Sequence, residues 1–270
     1  MSERSQVRLI LKSPSLQGLL AFSIVFFGSQ FFTPQFNDKH VLFRSVLLQI
    51  GLVFGIPFAM GQCWKVDIRA DFKLKHTSLR NLAFSVLIAL SLLCLLEEMV
   101  YLQFRIFGVI FVQETSIKEL LKVNTLSDLG WILLTIGLVP AFCEEFLFRG
   151  FIFNRLLQPH QTGQAVMLSS VLFGVFHRSI TALFNHTLAG IVLSLIVFRS
   201  GSLFNSILAH AVINTVTIAM ANSKGVSSIF TTGQKGHLPS ALLVASLAGL
   251  LFGLKGLRSE GKFDSASKQI

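Results

Sequence analysis

Charged residues are scarce in this sequence. Asp, Glu, Lys and Arg make up 13% of its 270 residues, against 52% hydrophobic residues, and the mean hydropathy is +0.68. An ordinary soluble domain carries about 25% charged residues, so the composition excludes a typical soluble fold. Apolar runs long enough to cross a bilayer recur along the whole chain, with no long polar insertion between them. The sequence therefore predicts an all-α polytopic membrane protein.

About eight transmembrane helices are expected from these apolar runs. The predicted spans are Leu16–Phe32, Val41–Trp64, Leu82–Leu96, Trp131–Leu157, Ala165–Phe184, a short Thr187–Phe198, Leu203–Ala221 and Pro239–Leu254. Between the third and fourth spans, the segment Glu97–Asp128 mixes apolar and charged residues, which predicts an amphipathic helix or re-entrant piece on the outer side. Glu97 and Glu98 are expected to form a solvated helix end, where charge costs little.

Several motifs of known chemistry are missing. The three cysteines show no CxxC spacing, which excludes a disulfide framework and a zinc ribbon. No HExxH occurs, so the zincin arrangement is absent. No GxSxG marks a serine nucleophile, and no GxGD supports an aspartyl dyad.

The net charge of +10 does not indicate nucleic-acid binding, because the basic residues lie in alternate loops. This is the positive-inside pattern, and it predicts an integral membrane protein, placed in the plasma membrane, with both termini in the cytoplasm. The lipid bilayer then accounts for the basic charge. The residues concerned are Arg4, Arg8, Lys12, Lys65, Arg69, Lys73, Lys75, Arg80, Arg149, Arg155, Arg199, Lys255, Arg258, Lys262 and Lys268.

Two adjacent carboxylates, Glu144 and Glu145, interrupt the apolar span Trp131–Leu157. One ionised group at the centre of a membrane helix costs about 2.5–3.5 kcal/mol, so such a pair indicates a functional site. Glu145 and Arg149 are four residues apart and share a helix face, which predicts an ion pair. Glu144 points about 100° away and is left free for chemistry.

Two further polar pairs lie in later spans. Phe173 and His177 share one helix face, and so do His210 and Asn214. A single intramembrane histidine is often only a hydrogen-bonding link between helices. Here three helices each present an acid, an imidazole or an amide, and this combination favours a functional site. If the fourth span continues to Leu157, all three clusters reach the middle of the bilayer. We expect Glu144 and the two polar pairs to converge on one cavity that opens toward the cytoplasm.

Taken in order, these three strings resemble the motifs EExxxR, FxxxH and HxxxN of the type II CAAX prenyl endopeptidases, also called the CAAX protease and bacteriocin-processing family. The strings are Glu144-Glu-Phe-Leu-Phe-Arg-Gly150, Leu172-Phe-Gly-Val-Phe-His177 and His210-Ala-Val-Ile-Asn214. The resemblance covers roughly residues 131–221. It divides one membrane domain into N-terminal helices with the outer amphipathic segment (1–130), a catalytic core (131–221), and a last helix with a polar tail (222–270).

The resemblance implies an intramembrane endopeptidase of eight helices with its site in the bundle core. Glu144 would activate a water with help from His177, while His210 and Asn214 would stabilise the oxyanion. Glu145, Arg149 and Phe173 would support them. A Zn²⁺ held by Glu144, His177 and His210 is the other version, and it is disfavoured because one glutamate would have to be both ligand and base.

Two other functions remain open. Buried Glu and His groups also mark the pathways of proton- or ion-coupled transporters, although no inverted repeat is visible. A non-enzymatic membrane scaffold or immunity protein would use the same clusters only for helix association. For a protease, the substrate is a membrane-anchored protein or peptide: a prenylated CAAX protein, a leader peptide or an unmodified membrane protein.

Overall fold

The structure is a computed structural model that describes residues 13–29, 41–107, 121–230 and 237–259. The described residues form helices and no strands, and five helices are long and apolar enough to cross a membrane. The protein is therefore an all-α polytopic membrane protein, as predicted. Within these ranges the apolar helices are α1 (Pro14–Gly28), α2 (Val41–Leu48, Gln49–Phe54 and Gly55–Cys63 in one run), α3 (Leu79–Phe107), α4 (Leu126–Leu156), α5 (Thr162–Phe176), α6 (Ile180–Ser200), α7 (Leu203–Asn222) and α8 (Ser240–Gly256).

Helices α2 and α4 contain wider, π-helical stretches. These are Gln49–Phe54 in α2, and Leu133–Leu138 and Phe146–Ile152 in α4. The first two precede Pro57 and Pro140, which have no N–H to give to the preceding turn, so the helix cannot keep its regular bonding there. Such stretches are frequent at functional sites.

The second half of α4 lies at the centre of the bundle. Every residue from Phe146 to Ile152 is buried, and this stretch contacts α1, α2, α5, α6 and α7. Its phenylalanines pack against these neighbours, and its one charged residue, Arg149, is buried with them. Around it, α5 packs along α6, and α3 packs against α7 and α8.

The boundary between α5 and α6 differs from the prediction. α5 ends at Phe176 instead of continuing to Phe184, and α6 is a full helix of 21 residues instead of a short one. A three-residue turn separates them, with Arg178 in the left-handed region at φ 57°. The turn contains neither glycine nor proline, so no helix-breaking residue marks it in the sequence.

The expectation for Glu97 and Glu98 was also wrong. α3 continues to Phe107, and both glutamates are half-buried within it instead of ending it in solvent. Glu98 accepts a hydrogen bond from the backbone N–H of Leu238 at 3.0 Å and another from His237 Nδ1. It thereby ties α3 to the segment that starts α8. Of the predicted outer amphipathic segment, residues 108–120 lie outside the described residues.

Candidate active site

The two central glutamates of α4 have different partners. Both are buried, with Glu144 6% exposed and Glu145 fully buried. Glu145 Oε1 accepts a hydrogen bond from Arg149 Nη1 at 2.5 Å, which is the pair predicted from their spacing. The Arg149 guanidinium also lies 4.2 Å from the centroid of the Phe173 ring, a favourable cation–π contact. Arg149 is therefore buried beside Glu145. The loop pattern had counted it among the basic residues of the surface, and it does not belong there.

Glu144 faces away from this pair, as the helical geometry predicts. Its Oε1 accepts a hydrogen bond from Gln49 Nε2 on α2 at 3.0 Å. Its Oε2 lies 3.9 Å from Nε2 of His177 and 4.0 Å from Nε2 of His210. The structure thus brings Glu144 and both predicted histidines together from α4, the end of α5 and α7.

The hydrogen bonds at the other ring nitrogens show that Nδ1 of both imidazoles carries a proton. His177 Nδ1 lies 2.9 Å from the backbone oxygen of Phe173, and His210 Nδ1 lies 3.0 Å from Glu145 Oε1. A carbonyl and a carboxylate only accept hydrogen bonds, so both Nδ1 atoms must donate. The proton on Nδ1 leaves Nε2 of each neutral ring as an acceptor that faces Glu144.

The turn after α5 holds His177 in place. Arg178 donates a hydrogen bond to the backbone oxygen of Phe26 at 2.7 Å and a second one to the Ser29 hydroxyl, both at the end of α1. Phe173 meets the imidazole of His177 edge to face, with ring centroids 4.9 Å apart. The predicted wall beside the imidazole is therefore present.

The spacing of the donor atoms can be compared with that expected around a water and around a metal ion. Two ligands of one tetrahedral Zn²⁺ lie about 3.3 Å apart, since each is about 2.0–2.1 Å from the metal. The separations of 3.9 and 4.0 Å from Glu144 Oε2 to the two histidines are wider. A water oxygen about 2.8 Å from two such atoms holds them about 4 Å apart at an angle of about 90°. Among the described residues no group of three His, Cys, Asp or Glu side chains meets metal-site geometry, and the two separations are those of groups bridged by a water.

Asn214 has a different environment from the other predicted residues. Its Nδ2 donates to the backbone oxygens of Ile136 and Gly137 at 3.2 Å each. Pro140 supplies no N–H to the Ile136 carbonyl, so Asn214 satisfies an acceptor that the proline leaves open. Within the described ranges no hydrogen bond joins Asn214 to Glu144 or to either histidine.

Two residues of the site were missed in the sequence. Gln49 binds Glu144, and His186 stacks on His177 with ring centroids 3.5 Å apart. His186 lies within a membrane helix, and an ionisable residue there is by default a functional candidate. It was overlooked because the predicted span began one residue after it. Gln49 carries a weaker signal, because a single glutamine in a span is more often a link between helices.

An apolar groove of about 400 Å³ lies beside the Gln49–Glu144 contact. It runs between α2 and α4 and is open on one side; its lining is Ile50, Phe54, Leu138, Val139, Phe142 and Cys143. Ile50 directly follows Gln49 in the chain, and Cys143 directly precedes Glu144. That the site opens toward the cytoplasm stays a prediction.

Known proteins resemble the same part of the chain. Residues 126–216, about a third of the chain, match the family model described as Type II CAAX prenyl endopeptidase Rce1-like. This stretch contains Glu144, His177, His210 and Asn214, and over it the resemblance inferred from the three motifs is confirmed.

A relative from Bacillus subtilis (strain 168) bears the name "Putative membrane peptidase YdiL". It is 30% identical to this chain over 84 residues, which are 31% of this chain and 34% of that protein. The chain therefore spans about a third of the length of this curated relative. No solved structure matches the chain.

Proposed function

We propose that the protein is an intramembrane endopeptidase that hydrolyses a peptide bond of a membrane-associated protein or peptide, of the CAAX or leader type. The observation that carries this proposal is the geometry around one oxygen atom. Glu144 Oε2 faces Nε2 of His177 at 3.9 Å and Nε2 of His210 at 4.0 Å. A carboxylate oxygen and the acceptor nitrogen of His177 at this spacing suit the two hydrogens of one bound water, and the match over residues 126–216 supports hydrolysis of a peptide.

Glu144 is the general base in this proposal. The water gives a proton to Oε2 of Glu144 while its oxygen attacks the scissile carbonyl carbon, and His177 Nε2 accepts the second hydrogen bond of the water. General base catalysis of this kind contributes about 10²–10⁴-fold. Gln49 keeps Oε1 of the carboxylate occupied, so the water meets one defined oxygen.

His210 is the first candidate for stabilising the oxyanion. Its Nδ1 donates to the carboxylate of Glu145, which turns Nε2 toward the site, and a ring that also carries a proton on Nε2 donates from that atom to the oxyanion. Asn214 is the second donor in the proposal. Its Nδ2 is shared between two backbone oxygens, so it reaches an oxyanion only by giving up one of them. Collapse of the intermediate then breaks the C–N bond, and Glu144 returns its proton to the leaving amine.

The other functions fit these contacts less well. A proton relay needs groups spaced across the membrane, whereas the two glutamates and the two histidines meet in one cluster with fixed donors and acceptors. A scaffold needs the polar groups only as links between helices. That role does not require two ring nitrogens turned toward the oxygen of one carboxylate.

The test is a comparison of protein termini in membrane fractions from cells that carry the wild-type protein or the Glu144→Ala variant. We expect a small set of termini that is present with the wild type and absent with the variant at equal expression. The chemistry of those termini identifies the substrate: a carboxyl terminus at a prenylated cysteine, or a new amino terminus after a leader. Identical sets of termini would contradict the proposal and favour a relay or a scaffold.

A further inference from the structure

Gln49 carries an unpaired acceptor next to the proposed base. We propose that Gln49 binds the peptide substrate: its side-chain Oε1 accepts a hydrogen bond from a backbone N–H near the scissile bond, while its Nε2 holds Glu144. This inference rests on the proposed function, and it adds a substrate-binding residue from α2, outside the segment 126–216 that matches the family.

The orientation of the amide follows from its partner. Gln49 contacts Oε1 of Glu144 at 3.0 Å, and a carboxylate that acts as a base only accepts hydrogen bonds. The amide nitrogen must therefore face Glu144. The amide oxygen then points away from the carboxylate while it stays on the same rigid, planar group.

That oxygen is buried and has no donor among the described residues. Buried side-chain acceptors are nearly always satisfied, and each exception calls for a specific explanation. In a protease inside the bilayer, a substrate supplies such donors, since the backbone N–H groups of an extended peptide find no water in the hydrocarbon region. The oxygen and the N–H therefore satisfy each other.

The distances make this contact compatible with attack at the scissile bond. Oxygen and nitrogen of one amide are only about 2.3 Å apart, and successive Cα atoms of a peptide are about 3.8 Å apart. An acceptor on the amide that holds Glu144 is therefore within about one or two residues of the carbonyl that the water attacks. The chain neighbours Ile50 and Cys143 line the groove between α2 and α4, so the groove ends next to the contact of Gln49 with Glu144.

The experiment combines a variant of the protein with a change in the substrate. The probe is a fluorescence-quenched peptide with a farnesylated CAAX terminus in liposomes, and a series of analogues in which one flanking amide is replaced by an ester. We expect one ester position to raise the KM of the wild type by about 5–10-fold, the equivalent of one hydrogen bond. In Gln49→Met, which keeps the length of the side chain without the amide, the same ester should change KM less than twofold. Gln62→Met, an exposed glutamine of the same helix, should behave as the wild type.

Each outcome separates the two proposals. If every ester acts equally on the wild type and on Gln49→Met while both cleave, the Gln49 inference is wrong and the endopeptidase remains. If the wild type neither cleaves nor binds any prenylated or leader peptide, the proposed function itself fails. Binding is measured with analogues that carry a methyleneamino group at the scissile bond, so the comparison does not depend on turnover. If Gln49→Met does not fold, Gln49→Asn replaces it, and the amide, now one methylene shorter, should lose the same dependence on the ester.

Discussion

His210 Nδ1 lies 3.0 Å from Oε1 of Glu145, the same oxygen that pairs with Arg149. The second glutamate of the EE pair therefore has two tasks, since it neutralises a buried guanidinium and sets the proton position of an imidazole. Glu144 shares none of these contacts and turns its Oε2 toward the histidines. Helix rotation thus gives two adjacent residues of identical chemistry different partners.

The first prediction concerns Glu144→Gln. The amide keeps the shape of the side chain but cannot take a proton, so cleavage should fall by at least about 10²–10⁴-fold, while expression and thermal unfolding in detergent stay close to the wild type. Glu98→Gln is the matched control, because Glu98 is also a hydrogen-bonded glutamate within a helix but is bound to the start of α8. Near-normal turnover by the purified Glu144→Gln protein would rule out Glu144 as the base.

The second prediction concerns the pair of Glu145 and Arg149. Removal of one partner leaves the other charge buried, so Glu145→Ala and Arg149→Ala should each lower the free energy of unfolding by about 3–5 kcal/mol. The double variant should lose clearly less than the sum, because it leaves no isolated charge. The measurement is denaturant or thermal unfolding of the detergent-solubilised protein. Strictly additive losses would show that the two side chains do not stabilise each other.

Much of this site was predictable from spacing. The contact of Glu145 with Arg149 and the wall that Phe173 gives His177 follow from residues four apart on a helix. The different direction of Glu144 follows from the rotation of about 100° per residue. These are local relations, and a helical period is enough to derive them. Apolar runs likewise predicted eight helices, because in a bilayer length and composition decide what can span.

The relations that the sequence did not reveal are those between distant helices. Gln49 meets Glu144 across 95 positions of the chain, and no periodicity encodes such a contact. The three-residue turn at Arg178 was missed because its left-handed backbone is stabilised by α1, not by a local glycine. Asn214 was expected beside the histidines, yet its amide binds carbonyls of α4 next to Pro140, a demand that only the packed helices make visible.

The third prediction concerns pH and Lys73, which lies in the loop between α2 and α3. Burial lowers the pKa of Lys73 to about 8, and repulsion from Lys75 adds to this. In the unfolded chain a lysine has a pKa of about 10.4. Between these two values the unfolded state binds more protons than the folded state, so the free energy of unfolding should rise with pH over this window. Below it both states are charged, and the folded state carries the full desolvation cost.

Lys73→Met should remove this cost. We expect the variant to be more stable than the wild type at pH 7 by about 1–3 kcal/mol, with the difference shrinking as the pH approaches 10. Lys75→Met, at an exposed position, should give a smaller gain. Unfolding curves at a series of pH values measure both. A constant difference between Lys73→Met and the wild type at all pH values would contradict the shifted ionisation.

The fourth prediction concerns metal removal. Glu144 Oε2 lies 3.9 and 4.0 Å from the two histidine nitrogens, a spacing that suits a bridging water and is wider than a tetrahedral zinc site. Dialysis of the purified protein against a strong chelator should therefore leave the rate of peptide cleavage within about twofold of the untreated rate, which is well below the effect of losing a general base. Loss of cleavage that returns on addition of Zn²⁺, with metal content measured in parallel, would overturn the water-based assignment.

The last prediction tests how α5 and α6 hold His177 in place. A Cβ at Gly174 would lie 2.6 Å from the backbone oxygen of Leu183 and 2.4 Å from the Thr187 hydroxyl, so Gly174→Ala must push the two helices apart. We expect a loss of about 1–3 kcal/mol in unfolding free energy. His177 is only three residues away, and a displacement of about 1 Å at a catalytic group can cost about 10²-fold in rate, so the folded fraction should also cleave poorly. Gly163→Ala is the control in the same helix, because its Cβ meets nothing within 4 Å, and it should be neutral or stabilising by up to about 1 kcal/mol. If the two alanine variants proved equally stable and equally active, close packing of α5 on α6 would not be what positions His177.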